Sequence, residues 1–415
     1  MLLLYNLFIR IYFIGIRLAA IGNQKAAKWI EGRRNVFKEL EKNISSSDEV
    51  IWIHCSSAGE FEQGKPVIEA LKKEYSSYKV LVSFFSPSGY GVATNYQHAD
   101  FITYLPLDTK ENAERFLKIV HPTLVIFVKY EFWYHHLAAA AFHHIPVLLV
   151  SATFRENQVF FKGYSGFFRQ MLFLFRHIFV QDNASLQLLS KNGITHCSIN
   201  GDTRFDRVNE ISRTFSDVPF IKEFVQQQKV IVAGSTWEED EVLLQKLSEA
   251  HPDLKFIIAP HEVNQSHINF LEKLFPTAVK YSTMKQNSSQ KWNVLIIDSV
   301  GLLSLLYQYA TITYVGGGFT RDGIHNILEA AVWRKPVFFG PNYQKYREAK
   351  DLIDAGGAFS VSNAEELKKL ADQLFSNEQY LQAVSEKAKA YVTINTGATA
   401  KILAFIQEKR LLTNW

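Results

Sequence analysis

The feature that most constrains this chain is a regular alternation of short apolar runs with longer helical patterns. Strands are predicted at 50–55, 79–83, 101–104, 123–128, 146–150, 177–181, 229–233, 255–259, 278–282, 293–297, 311–315, 336–339 and 358–361. Helical patterns, such as 61–75, 110–120, 238–250 and 301–309, lie between them. Runs this apolar are typical of strands in a parallel sheet whose two faces are covered by helices. The sequence therefore predicts an α/β protein built from doubly wound, Rossmann-like sheets.

The length of 415 residues exceeds what one ordinary hydrophobic core holds, so we predict two such domains. The first is placed at 41–208 and the second at 229–395, with a polar linker at 209–228. Residues 1–40 are predicted to form a separate N-terminal helical segment. Residues 396–415 are predicted to form a closing helix.

The N-terminal segment is apolar over residues 2–21, which is long enough to span a bilayer, but it contains Arg10 and Arg17. A spanning helix tolerates such charges poorly, and their seven-residue spacing puts both on one helix face. The pattern favours a helix that lies in the membrane interface on the cytoplasmic side. Further basic residues follow: Lys25, Lys28, Arg33, Arg34 and Lys38. The alternative is an amphipathic helix packed on the protein's own core.

A second aromatic and basic stretch, 159–176, allows two interpretations. It contains Phe160, Phe161, Phe167, Phe168, Phe173 and Phe175 beside Lys162, Arg169 and Arg176. One interpretation is a buried helix whose cations reach out to water. The other is a hydrophobic surface that receives a lipid acceptor.

The formal net charge of +4 does not indicate the strongly basic face of a nucleic-acid-binding protein, so no such partner is predicted. The two cysteines, Cys55 and Cys197, lie in apolar runs and are interpreted as buried thiols in a reducing compartment. No zinc-type cluster and no Asp-x-Asp motif is present, so neither a metal nor a cofactor is predicted.

A glycine run follows the predicted strand at 311–315: Gly316, Gly317 and Gly318. A loop then leads to a helix predicted to begin near His325. Glycines let a backbone approach a ligand closely, and a helix start presents N–H groups to a phosphate. Glu329, one turn into this helix, is placed to accept hydrogen bonds from ribose hydroxyls. The alternative is an ordinary strand–loop–helix turn.

The segment 51–71 predicts a strand, a Ser-Ser-Ala-Gly turn and then Glu60 at a helix start. A carboxylate there is stabilised in its charged form, so Glu60 is interpretable as a helix-dipole residue alone. It also lies at the carboxyl end of the first parallel strand, where doubly wound sheets bind ligands. A carboxylate in that position can act as a general base on a hydroxyl.

Together these motifs resemble those of Kdo transferases, which attach 3-deoxy-D-manno-octulosonic acid (Kdo) from CMP-Kdo to the lipid A precursor. The resemblance implies that Glu60 is the proton acceptor. It also implies that Glu131, in KYEFW, and Arg204, in GDTRFD where the family usually has Lys, stabilise the transition state. Glu31 lies near the family's early Gly-Glu-Arg motif. The family's Asn-Pro-Leu-Glu nucleotide contact is matched by Asn326, Ile327, Leu328 and Glu329.

The chain departs from the family pattern at two donor-site segments. Where the family has Pro-Arg-His, this chain has Pro260 and His261, so one cation is replaced. Where the family has Met-Gly-Glu, it has Val300, Gly301 and Leu302, so a carboxylate is missing. Backbone contacts to the donor would survive these changes, whereas the loss of side-chain contacts would alter donor affinity or identity.

The resemblance implies a GT-B glycosyltransferase with two Rossmann-like domains facing each other across a cleft. The implied reaction is inverting transfer of Kdo from CMP-Kdo to lipid IVA in lipopolysaccharide biosynthesis, at the cytoplasmic face of the inner membrane. Two alternatives stay open: a GT-B enzyme that uses another nucleotide sugar, such as a UDP-sugar transferase or epimerase, and a non-catalytic membrane-bound relative. Structural alternatives also remain for Arg204, as a surface ion pair, and for Glu131, as a helix N-terminal acid.

Overall fold

The computed structural model of this protein describes residues 1–130, 132–163, 166–286 and 292–413. The chain forms two compact units, one of residues 1–207 with 396–415 and the other of residues 208–395. Segment 209–228, predicted to be a linker, lies within the second unit and includes a short helix. Each unit is built around one seven-stranded sheet in which all neighbouring strands are parallel.

The first unit contains a sheet of strand order β3-β2-β1-β4-β5-β6-β7. Its strands are β1 (Val50–Cys55), β2 (Lys79–Phe84), β3 (Phe101–Tyr104), β4 (Pro122–Val128), β5 (Val147–Ala152), β6 (His177–Val180) and β7 (Cys197–Ile199). Its helices are α1 (Leu2–Ala19), α2 (Gln24–Glu31), α3 (Val36–Asn43), α4 (Ala58–Glu74), α5 (Pro87–Ala93), α6 (Lys110–Val120), α7 (Tyr134–Phe142), α8 (Gly166–Leu172) and α9 (Asn183–Lys191), followed much later by α19 (Ala398–Glu408). Helix α10 (Thr203–Arg213) begins in this unit and ends in the second. The strand order reverses direction between β1 and β4.

Successive residues of β1 pack into different cores, which explains why this strand is apolar throughout. Val50 and Trp52 belong to one cluster of buried side chains. Ile51 and Ile53, between and after them, belong to another on the opposite face of the sheet. Because helices cover both faces, few polar side chains are accommodated along the strands, and they concentrate at the strand ends.

The second unit contains a sheet of order β10-β11-β9-β8-β12-β13-β14, which reverses direction between β8 and β12. Its strands are β8 (Val230–Thr236), β9 (Lys255–Pro260), β10 (Val279–Lys280), β11 (Val294–Ile296), β12 (Ile312–Val315), β13 (Val337–Phe339) and β14 (Ala358–Ser360). Its helices are α11 (Ile221–Val225), α12 (Glu238–Ala250), α13 (Gln265–Leu274), α14 (Leu303–Leu306), α15 (Leu328–Ala331), α16 (Arg347–Asp354), α17 (Ala364–Ser376) and α18 (Glu378–Ile394).

Two elements differ from the sequence-based prediction. The three-residue strand β7 lies at the edge of its sheet and is incompletely buried, so it lacks the apolar run by which the others are recognised. The helix predicted to begin near His325 is the single turn α15, which begins at Leu328. A loop, rather than a helix, therefore connects the glycines after β12 to residue 327.

The Phe-rich stretch 159–176 mostly packs inward. Phe160 and Phe175 are buried in the core of the first unit, and Phe161, Phe167 and Phe168 pack against it. Phe173 alone among the six phenylalanines is exposed, at 51%. The Arg169 guanidinium donates to the carbonyl of Phe160 at 3.1 Å. Core packing thus accounts for the phenylalanines of this segment other than Phe173, which favours the interpretation as a buried segment.

Helix α1 packs on the first unit with one face only. Ile9 is 2% exposed, and the Tyr5 hydroxyl donates to the Asp108 carboxylate. The His135 ring donates from Nε2 to Asn6 Oδ1 at 2.6 Å. The remaining surface of α1 exposes large apolar side chains: Leu3, Leu4, Leu7, Phe8, Ile11, Ile14 and Leu18. The helix is long and apolar enough to cross a bilayer, and 6% of it is buried in the protein.

Arg33 does not belong with the surface cations of the N-terminal segment. Its guanidinium donates to the carbonyls of Leu105 and Phe85 at 2.9 and 2.7 Å and lies 3.7 Å from the centre of the Trp29 ring. Burial lowers the pKa of Arg33 to about 9. The side chain joins α2 to the ends of β2 and β3, so these contacts hold Arg33 within the first unit.

Asp108 fixes α1 in place. The carboxylate is 1% exposed and accepts hydrogen bonds from Tyr5, from the backbone N–H groups of His135 and His136, and from His136 Nδ1 at 2.6 Å. Burial acts to raise the pKa of Asp108, but the hydrogen bonds from His136, Tyr5 and the backbone outweigh it and lower the pKa. The ionised carboxylate therefore stabilises the fold.

We expect Asp108→Asn to lower the free energy of unfolding of the first unit by about 2–4 kcal/mol at pH 7, because an amide cannot satisfy all these donors. Since the pKa is lower in the folded state, the contribution is present above the unfolded pKa of about 3.9 and is lost as pH falls through the folded value. Urea unfolding at pH 7 and pH 3.5 measures this difference, which should shrink in acid. Asp253→Asn, at an exposed site, is the control; equal stability of Asp108→Asn and the native protein would contradict the prediction.

Candidate active site

In the first unit, the loop after β1 ends at the N-terminus of α4 and carries Glu60. Ser57 is the N-cap residue, and its hydroxyl accepts from the Glu60 N–H at 3.5 Å. In return, Glu60 Oε2 accepts from the Ser57 N–H at 3.0 Å. This capping box fixes the carboxylate next to the positive end of a 17-residue helix. Glu60 is 9% exposed and lies at the end of β1, where the strand order reverses.

Arg204 lies next to the same helix. Its guanidinium forms two short contacts with Asp202 Oδ2, from Nε at 2.8 Å and from Nη2 at 2.7 Å. Asp202 in turn accepts from Gln63 Nε2 at 3.2 Å, and the Thr203 hydroxyl donates to the Gln63 carbonyl at 2.6 Å. Gln63 lies three residues after Glu60 on α4. The structure therefore brings the predicted Arg204 next to the helix that carries Glu60, and pairs it with a nearly buried carboxylate.

Glu131, the third predicted catalytic residue, lies outside the described residues. Its preceding strand, β4, is the neighbour of β1 in the sheet.

In the second unit, the glycine run lies at the equivalent place, after β12 and beside β8. All three glycines are buried. A β-carbon at positions 316–318 would meet backbone atoms of the protein itself: Ser235 O at 2.3 Å, Gly323 O at 2.5 Å and Gly340 N at 2.4 Å, respectively. Gly317 also has a φ of +90°, which favours glycine. The packing of this loop on its neighbours thus requires the glycines, a reason that differs from the predicted close approach to a ligand.

Asp240, on α12, holds this loop in place and was not predicted as a site residue. Its buried carboxylate accepts from the Gly317 N–H at 2.8 Å, the Tyr314 hydroxyl at 2.7 Å and the Trp237 N–H at 3.0 Å. Burial raises the pKa of Asp240 despite these donors. The sequence signal was an acid as the third residue of a helix that follows a buried strand, which is also the pattern of an ordinary helix cap.

Three rings stack at the same edge of the sheet. The His261 and His325 rings lie 4.3 Å apart at an interplanar angle of 23°, and the Trp237 ring lies 4.9 Å from His261. His261 follows Pro260 at the end of β9, and its N–H donates to the Thr236 carbonyl at 2.9 Å. The ends of β8, β9 and β12 therefore meet in one cluster, which includes the predicted His261.

The remaining predicted donor-site residues lie around this cluster. Asn326 Nδ2 donates to Glu329 Oε1 at 3.0 Å, and Asn326 Oδ1 accepts from the Leu328 N–H at 3.2 Å, so these side chains fix the short turn before α15. Ile327 is buried. Burial raises the pKa of the Tyr307 hydroxyl, and the neighbouring Glu329 carboxylate raises it further.

The segment of Val300, Gly301 and Leu302 precedes α14. Helix α14 packs on the end of β8: a β-carbon at Gly234 would lie 2.4 Å from Leu303. Gly301 has a φ of +90°, and Val300 is 83% exposed. The segment is therefore near the cluster, with an exposed side chain where the family has a methionine.

Two parallel sheets, each with its candidate residues where the strand order reverses, define the GT-B architecture, as predicted. A UDP-GlcNAc 2-epimerase from Neisseria meningitidis, solved with UDP-GlcNAc, has this fold too, with a TM-score of 0.61, 17% identity, and coverage of 87% of this chain and all of that one. At this identity the likeness concerns the fold alone.

Sequence comparison finds likeness to one family. Residues 30–207 match the family model described as 3-Deoxy-D-manno-octulosonic-acid transferase (kdotransferase). A 3-deoxy-D-manno-octulosonic acid transferase of Rickettsia felis is 27% identical over 374 residues, which are 86% of this chain and 78% of the relative. Another, from Aquifex aeolicus, is 28% identical over 358 residues, which are 85% of this chain and 92% of the relative. The resemblance to Kdo transferases predicted from the motifs is confirmed by these comparisons.

The crowded glycine loop gives a prediction that separates steric from functional effects. Gly318→Ala should destabilise the second unit by about 2–3 kcal/mol, because the added methyl group meets the backbone of Gly340 and neither can move aside. Gly59→Ala, in α4 with nothing within 4 Å of the added carbon, should be neutral or slightly stabilising. Thermal unfolding compares the two, and a neutral Gly318→Ala would show that the loop is loosely packed.

Proposed function

We propose that this protein transfers Kdo from CMP-Kdo to a lipid A precursor, lipid IVA, with inversion at the anomeric carbon. The family match over residues 30–207 carries the proposal, since that region contains Glu60 in the capping box after β1. The two curated relatives, both Kdo transferases, align with more than three quarters of their own lengths. The first unit binds the acceptor, and the second binds the donor nucleotide at the ends of β8, β9 and β12.

In the proposed reaction, Glu60 removes the proton from the acceptor hydroxyl. The hydroxyl oxygen forms a bond to the anomeric carbon of Kdo as the bond from that carbon to the phosphate oxygen breaks, and CMP leaves. The capping box suits Glu60 to this role because the N–H of Ser57 holds the carboxylate in one orientation at the positive end of α4. Arg204, with Glu131, is proposed to stabilise the charge that develops, and Asp202 orients its guanidinium.

The reaction is tested by incubating the purified protein with CMP-Kdo and lipid IVA and weighing the lipid product by mass spectrometry. Addition of one or more Kdo units supports the proposal. Thermal shifts with CMP and UDP compare donors: stabilisation by UDP alone, together with no Kdo transfer, would favour the UDP-sugar alternative. Binding of CMP without any turnover would favour the non-catalytic relative.

Glu60→Gln should reduce transfer by about 10²–10⁴-fold, because the amide cannot accept the proton. Its amide oxygen still accepts the Ser57 N–H, so α4 should remain capped and the affinity for CMP, bound by the other unit, unchanged. The control is Glu62→Gln, two residues further on, where the side chain is 49% exposed and pairs with Lys65. Full activity of Glu60→Gln in the same mass-spectrometric assay would refute the assignment of the base.

We further propose that α1 lies in the cytoplasmic interface of the inner membrane instead of crossing the bilayer. The polar contacts of Tyr5 and Asn6 with the first unit support this placement, since a spanning helix would have to break them. Exposed Arg10 and Arg17 can reach anionic headgroups while the exposed leucines enter the lipid.

Leu7→Glu with Ile11→Glu tests this placement, since both side chains are more than half exposed and contribute nothing to the core. Flotation with vesicles of anionic phospholipid should show at least about tenfold weaker binding, because two apolar side chains no longer leave water. Ile394→Glu, 80% exposed in the second unit, is the matched control and should float like the native protein. Undiminished flotation of the double variant would contradict an interfacial α1.

A further inference from the structure

The indole of Trp237 determines which nitrogen of His325 carries the proton. Trp237 Nε1–H donates to His325 Nε2 at 3.2 Å, so Nε2 is the acceptor. A neutral imidazole has one accepting nitrogen and one N–H, and the proton of His325 therefore lies on Nδ1.

His325 stays neutral at physiological pH. Burial and the stacked His261 lower the pKa of His325 to about 4, while the Asp322 carboxylate acts in the opposite direction. The charged form is therefore rare above pH 5, and the ring offers one N–H donor of fixed position without a change of charge.

The ring orientation points this donor away from the glycine loop. A β-carbon at Gly317 would lie 3.0 Å from His325 Cδ2 and 3.3 Å from Nε2, so this edge of the ring faces Gly317 and Trp237. The edge with Nδ1 is on the opposite side of the ring. Within the part of the chain that the structure describes, Nδ1 donates to no protein acceptor. The ring is half-buried, so a ligand can reach this N–H.

The surroundings indicate what this N–H meets. His325 lies between the glycine loop and the turn at Asn326, where the strand order of the second sheet reverses. Ligands of doubly wound sheets bind at that point, and the groups of a nucleotide that accept hydrogen bonds most strongly are its phosphate oxygens. An N–H from a neutral ring binds such an oxygen, before and after bond cleavage, without requiring a counter-charge.

We propose that His325 donates a hydrogen bond from Nδ1 to a phosphate oxygen of the bound nucleotide, and that Trp237 is the positioning residue that keeps the proton on Nδ1. This inference rests on the proposed function only in taking the second unit as the nucleotide-binding one. It adds His325 and Trp237 to the predicted donor site, whose segment after the glycine loop began at Asn326.

Titration calorimetry with CMP and cytidine tests the phosphate contact. His325→Phe keeps a ring against His261 but has no N–H, so its affinity for CMP should fall about tenfold while its affinity for cytidine, which lacks the phosphate, stays the same. His325→Gln, whose amide donates, should recover most of the loss. His98→Phe, at an exposed position in the first unit, is the control and should bind like the native protein.

Trp237→Phe tests the positioning role separately from activity. With protein labelled with ¹⁵N at histidine, His325 Nε2 should give the signal of an unprotonated nitrogen in the native protein and an averaged signal in the variant. If the two tautomers become equally populated, CMP affinity should fall about twofold. A proton on Nε2 in the native protein would overturn the proposal.

Equal CMP affinities of His325→Phe and the native protein would overturn it as well. If the native protein binds UMP instead of CMP, the proposed donor is wrong, and the same comparison with UMP and uridine decides the role of His325. If no nucleotide binds, both proposals fail, whereas loss of Kdo transfer with intact CMP binding affects the proposed function alone.

Discussion

Burial of both faces of two parallel sheets is the constraint on which the rest of this structure depends. Side chains along β1 alternate between two cores, and the other central strands are equally enclosed. An ionised group cannot be placed along such a strand without a large desolvation penalty. The chemistry of the protein is therefore confined to the carboxyl ends of the strands, where loops and helix N-termini supply hydrogen-bond partners.

The two units use the same local device for different purposes. In each, the first strand leads into a helix whose third residue is an acid, Glu60 on α4 and Asp240 on α12, and each carboxylate accepts the N–H of the residue before its helix. Asp240 is fully buried and holds Gly317 and Tyr314. Glu60 keeps a small exposed fraction at the sheet edge. A helix cap thus serves as a structural anchor in one unit and as the proposed base in the other.

In the N-terminal region, polar contacts determine which face of the apolar helix α1 packs on the first unit. Tyr5 and Asn6 attach α1 to Asp108 and His135. Arg33 instead packs against the Trp29 ring and donates to the carbonyl of Leu105, so its charge is not presented at the surface. The cations that remain exposed on α1 are Arg10 and Arg17, next to an apolar face that the first unit leaves uncovered.

The sequence by itself determined the class of fold, nearly all the strands and the resemblance to Kdo transferases, because buried parallel strands are continuous apolar runs and the motifs lie at their ends. It did not find β7, which is too short and too exposed to form such a run, nor the true start of α15. Only the tertiary structure decided what the glycines at 316–318 pack against, that Arg204 is paired with Asp202, and that Asp240 and Trp237 organise the loop. These facts depend on contacts between segments that are distant along the chain. A local pattern of residue types does not specify which distant backbone or ring a residue will contact.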